Sequence, residues 1–293
     1  MSNGFPTIQL LFAMLLSVKN LRIAFRFDGK TSVPVRNVSF DVPANSRVAL
    51  VGESGCGKSL TALAIGGLVD HAEIGGRIEG RPKLGYIFQN PMLSLNPTMR
   101  VGRQIEEAMP HGSAALVARA LEAVALPAEA ARKYPCEMSG GQQQRVMIAM
   151  ALAREPELLI ADEPTTALDV TTQKEVLDLI ARLAAERSMS VLFITHNLGL
   201  VAEYSDCVNV MYAGEIVEAG PVSQILRSPR HPYTQGLLAA VPRLDAPKDA
   251  PLAGIPGTVP QPTAWPAGCA FHPRCPYATS ECSAETFHAC PRL

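Results

Sequence analysis

Residues 52–59 carry glycines, a lysine and a serine in a spacing that suits the binding of phosphate groups. They satisfy the pattern G-x-x-x-x-G-K-[ST] between a buried apolar run and a helical segment, which is the context the pattern requires. The glycines allow a loop whose backbone N–H groups surround a β-phosphate. Lys58 supplies a positive charge toward the β- and γ-phosphates, and the Ser59 hydroxyl supplies a ligand for Mg²⁺. The predicted nucleotide contacts in this P-loop are Gly52, Glu53, Ser54, Gly55, Cys56, Gly57, Lys58 and Ser59.

Residues 138–145 predict the start of a helix that can bind an anion. Ser139 and Gln142 form an S-x-x-Q capping box, and good helix formers follow them. Gly140 and Gly141 let backbone N–H groups approach a ligand closely, and the helix terminus adds positive potential for a γ-phosphate. Taken alone, the segment is equally consistent with an ordinary capped helix. Its place after a P-loop favours the nucleotide role.

Two carboxylates follow the apolar strand predicted at 158–161. Asp162 ends a strand that is predicted to lie beside the P-loop strand, so its carboxylate can reach Mg²⁺ through water. Glu163 points elsewhere and is placed to polarise an attacking water, which is the work of a general base. The alternative is a solvated acidic turn, and the sequence at 164–169 disfavours it.

Gln89 and His196 each follow a predicted strand, at 84–88 and 191–195. A polar residue at a strand end is often only structural, and a lone histidine is more often structural than functional. His196, however, comes 33 residues after Glu163 at the end of the next parallel strand. The carboxyl ends of parallel strands share one edge of a sheet, so both residues are candidates for the same site.

The elements that must position these side chains indicate an α/β fold. Three runs are apolar on both faces and are separated by helical segments; they are 48–51, 158–161 and 191–194. Such runs are typical of a parallel sheet buried between layers of helices. Alternating strands are predicted at 18–23 and 38–42, a helical region at 101–133 and a closing hairpin at 208–217.

The tetrad at 139–142 is similar to the signature motif of ATP-binding cassette (ABC) ATPases, with Met138 where leucine is usual. Residues 164–169 are similar to the D-loop of that family and end at Asp169. From about residue 16 the chain resembles an ABC ATPase. The resemblance implies a P-loop NTPase cassette with a RecA-like parallel sheet core, an antiparallel β subdomain and an α-helical signature subdomain at about 90–155. It also implies hydrolysis of ATP with Mg²⁺.

The resemblance assigns roles to single residues. Lys58, Glu163 and His196 are the implied catalytic residues, with Glu163 as the base and His196 as the switch histidine that senses the γ-phosphate. Gln89 matches the Q-loop glutamine, which links Mg²⁺ to the membrane partner. Phe25 is implied to stack on adenine, although either Phe25 or Phe27 could be a core residue. The implied Mg²⁺ ligands are Ser59, Gln89 and Asp162. The implied nucleotide contacts outside the P-loop are Phe25, Gln89, Ser139, Gly140, Gly141, Gln142, Asp162 and Asp169.

The sequence after residue 220 resembles the C-terminal extension of the peptide and nickel importer ATPases, chiefly at 228–234 and 271–278. We expect an ABC ATP-binding domain at 16–220 and an extension rich in cysteine and proline at 221–293. The implied function is ATP hydrolysis that energises uptake of dipeptides or oligopeptides by a bacterial importer. The alternative within the same machine is uptake of nickel or a metallophore.

The resemblance also implies partners and a location. The partners are a second ABC ATPase, often non-identical, two transmembrane permeases and an extracytoplasmic solute-binding protein. The implied location is the cytoplasmic face of the inner membrane, reached by docking near residues 89–100. Nucleic acid is not expected, because the net charge is −1 and there is no basic run. A soluble ABC ATPase outside transport is disfavoured because the sequence has one cassette and no heptad run. A purely structural or binding protein with inactive motifs is disfavoured because the ATPase motifs are intact.

Four of the seven cysteines, namely Cys269, Cys275, Cys282 and Cys290, lie in the last 25 residues. Four thiols in a tail unable to build its own core suggest a bound metal that contributes folding free energy, and spacing alone cannot choose between zinc and an iron–sulfur cluster. The family resemblance favours a structural [4Fe–4S] cluster. Cys290 fits the family pattern least well, and His288 is a conceivable substitute.

The first residues, 1–15, are predicted to form a poorly ordered leader. The apolar run at 8–18 is shorter than the roughly 20 residues that a membrane-spanning helix needs, and it lacks the features of a signal peptide. Met14 is an alternative start.

Overall fold

The structure is a computed structural model that describes residues 13–166, 168–241, 254–284, 290 and 292–293. The chain divides into two compact units. The first unit takes in residues up to 42, residues 47–80 and residues from 194 onward, and the second takes in residues 43–46 and 81–193.

The strands and helices of the described residues are numbered in chain order. The strands are β1 (Met14–Phe27), β2 (Lys30–Pro43), β3 (Arg47–Val51), β4 (Glu73–Glu79), β5 (Leu84–Ile87), β6 (Leu158–Asp162), β7 (Ser190–Thr195), β8 (Cys207–Tyr212) and β9 (Glu215–Pro221). The α-helices are α1 (Lys58–Ile65), α2 (Pro91–Ser94), α3 (Val101–Ala108), α4 (Ala114–Ala123), α5 (Gly140–Leu152), α6 (Val170–Glu186), α7 (Leu198–Tyr204), α8 (Val222–Arg227) and α9 (Pro232–Ala239). Short 3-10 segments occupy 128–132, 135–137, 272–274 and 280–283.

Six strands of the first unit follow one another in the order β4-β1-β2-β9-β8-β3. β1 and β4 are antiparallel, β3 and β8 are parallel, and β8 and β9 form an antiparallel hairpin. The hairpin turns at Ala213 and Gly214, whose φ angles of 48° and 80° are those that a tight hairpin turn requires. This unit therefore combines antiparallel strands with the parallel pair that leads into the P-loop.

One apolar cluster in the first unit joins the strands to the C-terminal tail. It contains Val51 of β3, Val210 and Tyr212 of β8, Tyr233 of α9 and Phe271, all of them almost fully buried. The rings of Tyr212, Tyr233 and Phe271 lie within 4.6 to 5.4 Å of one another, centroid to centroid. The tail thus shares the core of the unit that carries the P-loop.

The second unit places its three strands in the order β7-β6-β5, and β5 and β6 are parallel. Every residue of β6 is buried, which is why Leu158–Asp162 is an unbroken apolar run before its terminal aspartate. Helices α2 to α6 belong to this unit, and α5 and α6 pack against each other.

The α/β fold predicted from the sequence is confirmed. One prediction was wrong: β6 lies between β7 and β5 and not beside the P-loop strand β3. β1 begins at Met14, inside the expected leader, and β4 was not foreseen. Residues 1–12 of that leader lie outside the described residues. Six of the seven residues of β4 are exposed, so it lacks the apolar alternation that predicts a strand, and backbone pairing with β1 defines it. Within the described part of the chain, no helix has the length and apolar character needed to cross a membrane.

Candidate nucleotide and cysteine sites

The P-loop lies between β3 and α1 in the first unit. Gly57 is the N-cap residue of α1 and has a φ of 104°, a conformation that glycine adopts without steric cost. Lys58 is buried, and its Nζ donates to the carbonyl oxygens of Gly52 at 2.8 Å and Glu53 at 2.9 Å. The lysine charge is therefore held inside the loop, against the carbonyls at the loop's start.

The start of the loop packs tightly against β8. A Cβ atom on Gly52 would lie 2.1 Å from the carbonyl oxygen of Met211 and 2.9 Å from Cys56 Sγ. Cys56 is fully buried beneath the loop, and this burial raises the pKa of its thiol. Cys56 is therefore a neutral packing group, and Gly52 is required because no side chain fits there.

Two residues that the sequence analysis did not connect with the P-loop contact Glu53. The backbone N–H of Glu53 donates to Tyr233 Oη at 2.8 Å. The guanidinium of Arg274 donates to both carboxylate oxygens of Glu53, at 2.7 and 3.0 Å. Both residues lie in the tail segments that carry the resemblance to peptide and nickel importers, but nothing in the sequence indicates that they reach the P-loop.

His196 and Phe25 also belong to the first unit. His196 is exposed and lies directly after β7, next to Asn197, which caps α7. Phe25 is half-buried near the end of β1, and its ring stacks on that of Phe27 at 6.1 Å between centroids with an interplanar angle of 17°. Phe27 is 66% exposed, so it is not a core residue. The aromatic pair is accessible to a planar ligand.

Asp162, Glu163 and Gln89 meet in the second unit, at the carboxyl ends of β5 and β6. Gln89 Nε2 donates to Glu163 Oε2 at 3.0 Å, and the hydroxyl of Thr166 donates to the same oxygen at 2.8 Å. The phenolic hydroxyl of Tyr86 donates to Asp162 Oδ2 at 3.3 Å. Burial, and then the charge of Asp162, raise the pKa of Tyr86, which therefore stays a donor. Tyr86 and Thr166 were not foreseen from the sequence.

Glu163 follows a fully buried strand in an unusual backbone conformation. Its φ of 44° lies in the left-handed region, which side chains other than glycine, asparagine and aspartate seldom adopt. Asp162 is buried at the end of β6, whereas Glu163 is half-buried. The two carboxylates have different hydrogen-bond partners, Tyr86 for Asp162 and Gln89 with Thr166 for Glu163.

The signature segment forms the predicted capping box. The N–H of Gln142 donates to Ser139 Oγ at 3.3 Å, and the N–H of Ser139 donates to Gln142 Oε1 at 3.2 Å. Ser139 is the N-cap residue and α5 begins at Gly140, as the capping box predicts. Ser139 and Gly140 are exposed, so the helix terminus is open to a ligand.

The signature and the D-loop meet at Thr172. A Cβ atom on Gly141 would lie 2.5 Å from Thr172 Cγ2. Asp169 caps α6 by accepting the N–H of Thr172 at 3.1 Å, and this hydrogen bond lowers the pKa of Asp169. Two predicted site segments are thereby brought together within the second unit. The P-loop, Phe25 and His196 belong to the other unit.

All four cysteines of the tail line one cavity of about 220 Å³ in the first unit. Burial raises the pKa values of Cys269 and Cys275, and the neighbouring thiols Cys282 and Cys290 raise them further. Cys290, the position that fits the family pattern least well, is among the lining residues. His288 lies outside the described residues.

The described residues contain no group of three or more His, Cys, Asp or Glu side chains that could hold a metal ion. This finding applies equally to a zinc site and to an iron–sulfur cluster, so it does not choose between them. The four thiols lie around one cavity.

Two segments of the chain match known protein families. Residues 35–166 match the ABC transporter family, and residues 217–282 match the family described as oligopeptide/dipeptide transporter, C-terminal region. A Brucella abortus protein, provisionally named a peptide import ATP-binding protein, is 45% identical over 94% of this chain and 91% of its own length. A Brucella ovis protein with the same provisional name is 45% identical over 92% of this chain and 91% of its own length.

Solved structures share the fold. An ATP-binding cassette dimer in a post-hydrolysis state, bound to ADP and phosphate, has a TM-score of 0.63 and 24% identity, over 71% of this chain and 99% of that one. A transporter provisionally assigned to the metal-chelate type of ABC transporters, in an inward-facing conformation, has a TM-score of 0.62 and 26% identity, over 74% and 86% of the two chains. Both similarities extend over more than two thirds of this chain and show that it has the fold of an ATP-binding cassette.

Proposed function

We propose that this chain, which belongs to the ABC transporter family of ATP-binding proteins, hydrolyses ATP to drive the import of peptides. The observation that carries the proposal is the 45% identity, over 94% of the chain, to a relative named for peptide import. The match of residues 217–282 to the oligopeptide and dipeptide transporter region supports the same substrate class. It also supports a boundary near residue 220 between a nucleotide-binding domain at 16–220 and an extension at 221–293.

In this proposal the P-loop binds the phosphates of ATP. Lys58 has three N–H donors and directs two of them to the carbonyls of Gly52 and Glu53. Its charge is therefore held at the loop. The donors proposed for Mg²⁺ are the Ser59 hydroxyl, the Gln89 amide and the Asp162 carboxylate. They offer oxygen ligands, which Mg²⁺ prefers, and when bound the ion neutralises charge on the phosphates.

Glu163 is the proposed general base. Gln89 and Thr166 both donate to its Oε2, which fixes the orientation of the carboxylate. A carboxylate held in one orientation can accept the proton of an attacking water without first reorganising. We assign the sensing of the γ-phosphate to His196 and the stacking on adenine to Phe25.

We propose that two ABC ATPase chains act as a pair. The signature turn offers an exposed helix terminus with two glycines, a suitable site for the γ-phosphate of a nucleotide held by the partner's P-loop. The second chain can be a copy of this one or a non-identical ATPase. Permeases and an extracytoplasmic solute-binding protein complete the proposed importer.

The segment after Gln89 is the proposed docking surface for a permease at the cytoplasmic face of the inner membrane. Met92 and Leu93 in α2 are 72% and 85% exposed, which is unusual for large apolar side chains on a helix. Met92→Ser with Leu93→Ser should release the protein from membranes that contain its permeases. Ile74→Ser, at an apolar residue of β4 that is 49% exposed, is the control and should leave membrane association unchanged.

Peptide uptake tests the function directly. Cells that lack the gene should lose uptake of labelled dipeptides or tripeptides, the wild-type chain should restore it, and Lys58→Ala should not. Uptake of nickel or a metallophore is the alternative. If cells that lack the gene lose metal uptake but keep peptide uptake, the substrate is the metal and not a peptide. If they lose neither, the chain does not drive import of either class of substrate.

We also propose that the tail binds a [4Fe–4S] cluster. It is supported by four thiols around one cavity of about 220 Å³, since four cysteine thiolates are the usual ligands of such clusters. When bound, the cluster would supply folding free energy to the tail. Anaerobically purified protein should be brown and contain iron and sulfide, and Cys275→Ser should lose both. Colourless protein without metal would refute the cluster.

A further inference from the structure

The P-loop contains an acidic side chain whose charge faces a tail residue. Glu53 is the second residue of the loop, and ATP brings a triphosphate to the same loop. A carboxylate near the phosphates would repel them, because like charges at close range are unfavourable. In the structure this carboxylate is paired with Arg274, which lies in the 3-10 segment His272–Arg274.

The pairing has the geometry of a strong and specific contact. Two guanidinium nitrogens of Arg274 reach the two carboxylate oxygens of Glu53, at 2.7 and 3.0 Å. The Arg274 side chain is only 4% exposed and that of Glu53 is 30% exposed. Such a bidentate pair is stronger than a single charged hydrogen bond, and lysine cannot reproduce it.

The rest of the guanidinium is also bonded. Arg274 Nε donates to the carbonyl oxygen of Pro256 at 2.7 Å, and a terminal nitrogen donates to that of Ile255 at 3.3 Å. The other terminal nitrogen lies 3.4 Å from Tyr212 Oη. Arg274 is therefore fixed from several sides, and it ties Glu53 to the tail segment that carries Ile255 and Pro256.

The backbone of Glu53 is held by a second tail element. Its N–H donates to Tyr233 Oη, and Tyr233 is fully buried at the start of α9. The rings of Tyr233 and Phe271 pack at 5.4 Å between centroids. The side chain and the main chain of one P-loop residue are thus both anchored in the C-terminal region, from residues 180 and 221 positions away in the sequence.

We propose that Arg274 is a positioning residue for ATP: it neutralises Glu53 and holds that carboxylate away from the phosphates, so that the C-terminal tail sets the affinity of the P-loop for nucleotide. Tyr233 contributes by fixing the backbone of the same residue. The inference rests on ATP binding by the P-loop, which is part of the proposed function.

The test is the dissociation constant for a fluorescent ATP analogue, measured on the intact chain together with its thermal unfolding midpoint. Arg274→Gln should raise the Kd about tenfold, because it leaves a partly buried carboxylate unpaired beside the phosphates. Arg274→Lys should not restore wild-type affinity, since the bidentate geometry is lost. Arg227→Gln, at an exposed arginine without an ion pair among the described residues, is the matched control and should leave the Kd unchanged.

A double variant separates positioning from a merely structural role. Glu53→Gln removes the charge that Arg274→Gln leaves unpaired, so the double variant should bind ATP more tightly than Arg274→Gln alone. A structural role predicts the opposite, with the unfolding midpoint lowered and the Kd unchanged. That result, or a double variant no better than Arg274→Gln, would overturn the proposal.

If Arg274→Gln does not fold, Glu53→Gln alone decides the question. Its Kd should be equal to or lower than that of the wild type, because the charge that Arg274 neutralises is gone. A Kd raised about tenfold would overturn the proposal, because the pair would then be needed for the structure of the loop and not for neutralising Glu53. Wild-type protein that does not bind ATP would instead refute the proposed function, which keeps the two failures distinct.

Discussion

The P-loop and the signature turn are both glycine-rich segments at the start of a helix, yet they are held in different ways. The signature turn is held by its own neighbours, since both hydrogen bonds of its capping box join residues three positions apart. The P-loop is held by Tyr233 and Arg274, which lie 180 and 221 positions from Glu53. The hydrogen bonds of the signature cap are local, whereas Glu53 in the P-loop is bonded to distant residues of the C-terminal region.

The two segments should therefore respond differently to mutation. A mutation in a locally held segment should lower the free energy of unfolding by about the contribution of one helix cap, because the neighbouring structure is unaffected. A segment held by distant residues should lose its geometry when any of those contacts fails. The predictions that follow test this contrast.

The largest effect is expected at Gly52. Gly52→Ala places a Cβ atom 2.1 Å from the carbonyl oxygen of Met211, a backbone atom that cannot move alone. We expect the unfolding free energy to fall by about 3 kcal/mol or more, within the range known for overpacking and backbone strain, and ATP binding to be lost. Gly254→Ala is the control, because nothing lies within 4 Å of its Cβ position and it should change neither quantity. Normal ATP binding by Gly52→Ala would contradict the tight packing of the loop.

The second prediction concerns the pH dependence of the first unit. His231 is buried and accepts the N–H of Tyr233 through Nδ1 at 3.1 Å, and burial lowers its pKa to about 4. Below its ordinary pKa of about 6.5 the unfolded chain takes up a proton that the folded chain does not, so stability falls as the pH falls from about 6.5 toward 4. We expect a loss of about 1.6 kcal/mol between pH 6.5 and 5, with the slope approaching about 1.4 kcal/mol per pH unit below pH 6.

His231→Asn tests this assignment, because asparagine keeps an acceptor near Tyr233 but does not titrate. Denaturant unfolding of this variant should depend less on pH than that of the wild type. An equally steep dependence in the variant would place the titrating group elsewhere.

The smallest effect is expected at the signature cap. Ser139→Ala removes the acceptor for the N–H of Gln142 and should lower stability by about 1 kcal/mol. Ser113→Ala is a matched control, because Ser113 caps α4 by the same kind of bond at the same 3.3 Å. Both variants should lose similar stability, and only Ser139→Ala should reduce ATP hydrolysis. Equal hydrolysis in the two variants would mean that the signature serine is only a cap.

The sequence predicted those features that depend on neighbouring residues. The P-loop pattern, the capping box at Ser139 and the buried strand β6 follow from local spacing and apolar runs, and the structure contains all three. Of the two residues that donate to Glu163, Gln89 was predicted as a site residue and Thr166 was not. Local patterns indicate candidate residues for chemistry, but not the residues that orient them.

The features that the sequence did not predict depend on contacts between distant segments. β4 has no apolar alternation and is defined by its backbone pairing with β1. The contact between Glu53 and Arg274 joins two segments that were each noted, one as a P-loop and one as a tail, without any pattern that links them. Tertiary packing determines such contacts, and local patterns in a single sequence do not predict them.

Glu163→Gln in the assembled transporter tests the central claim most directly, namely that this chain hydrolyses ATP with Glu163 as the base. The variant keeps the acceptor that Gln89 and Thr166 approach but cannot take up a proton. We predict that it binds ATP, accumulates as an ATP-bound pair of ATPase chains, and hydrolyses ATP at least about 100-fold more slowly than the wild type. Hydrolysis at the wild-type rate would contradict the account.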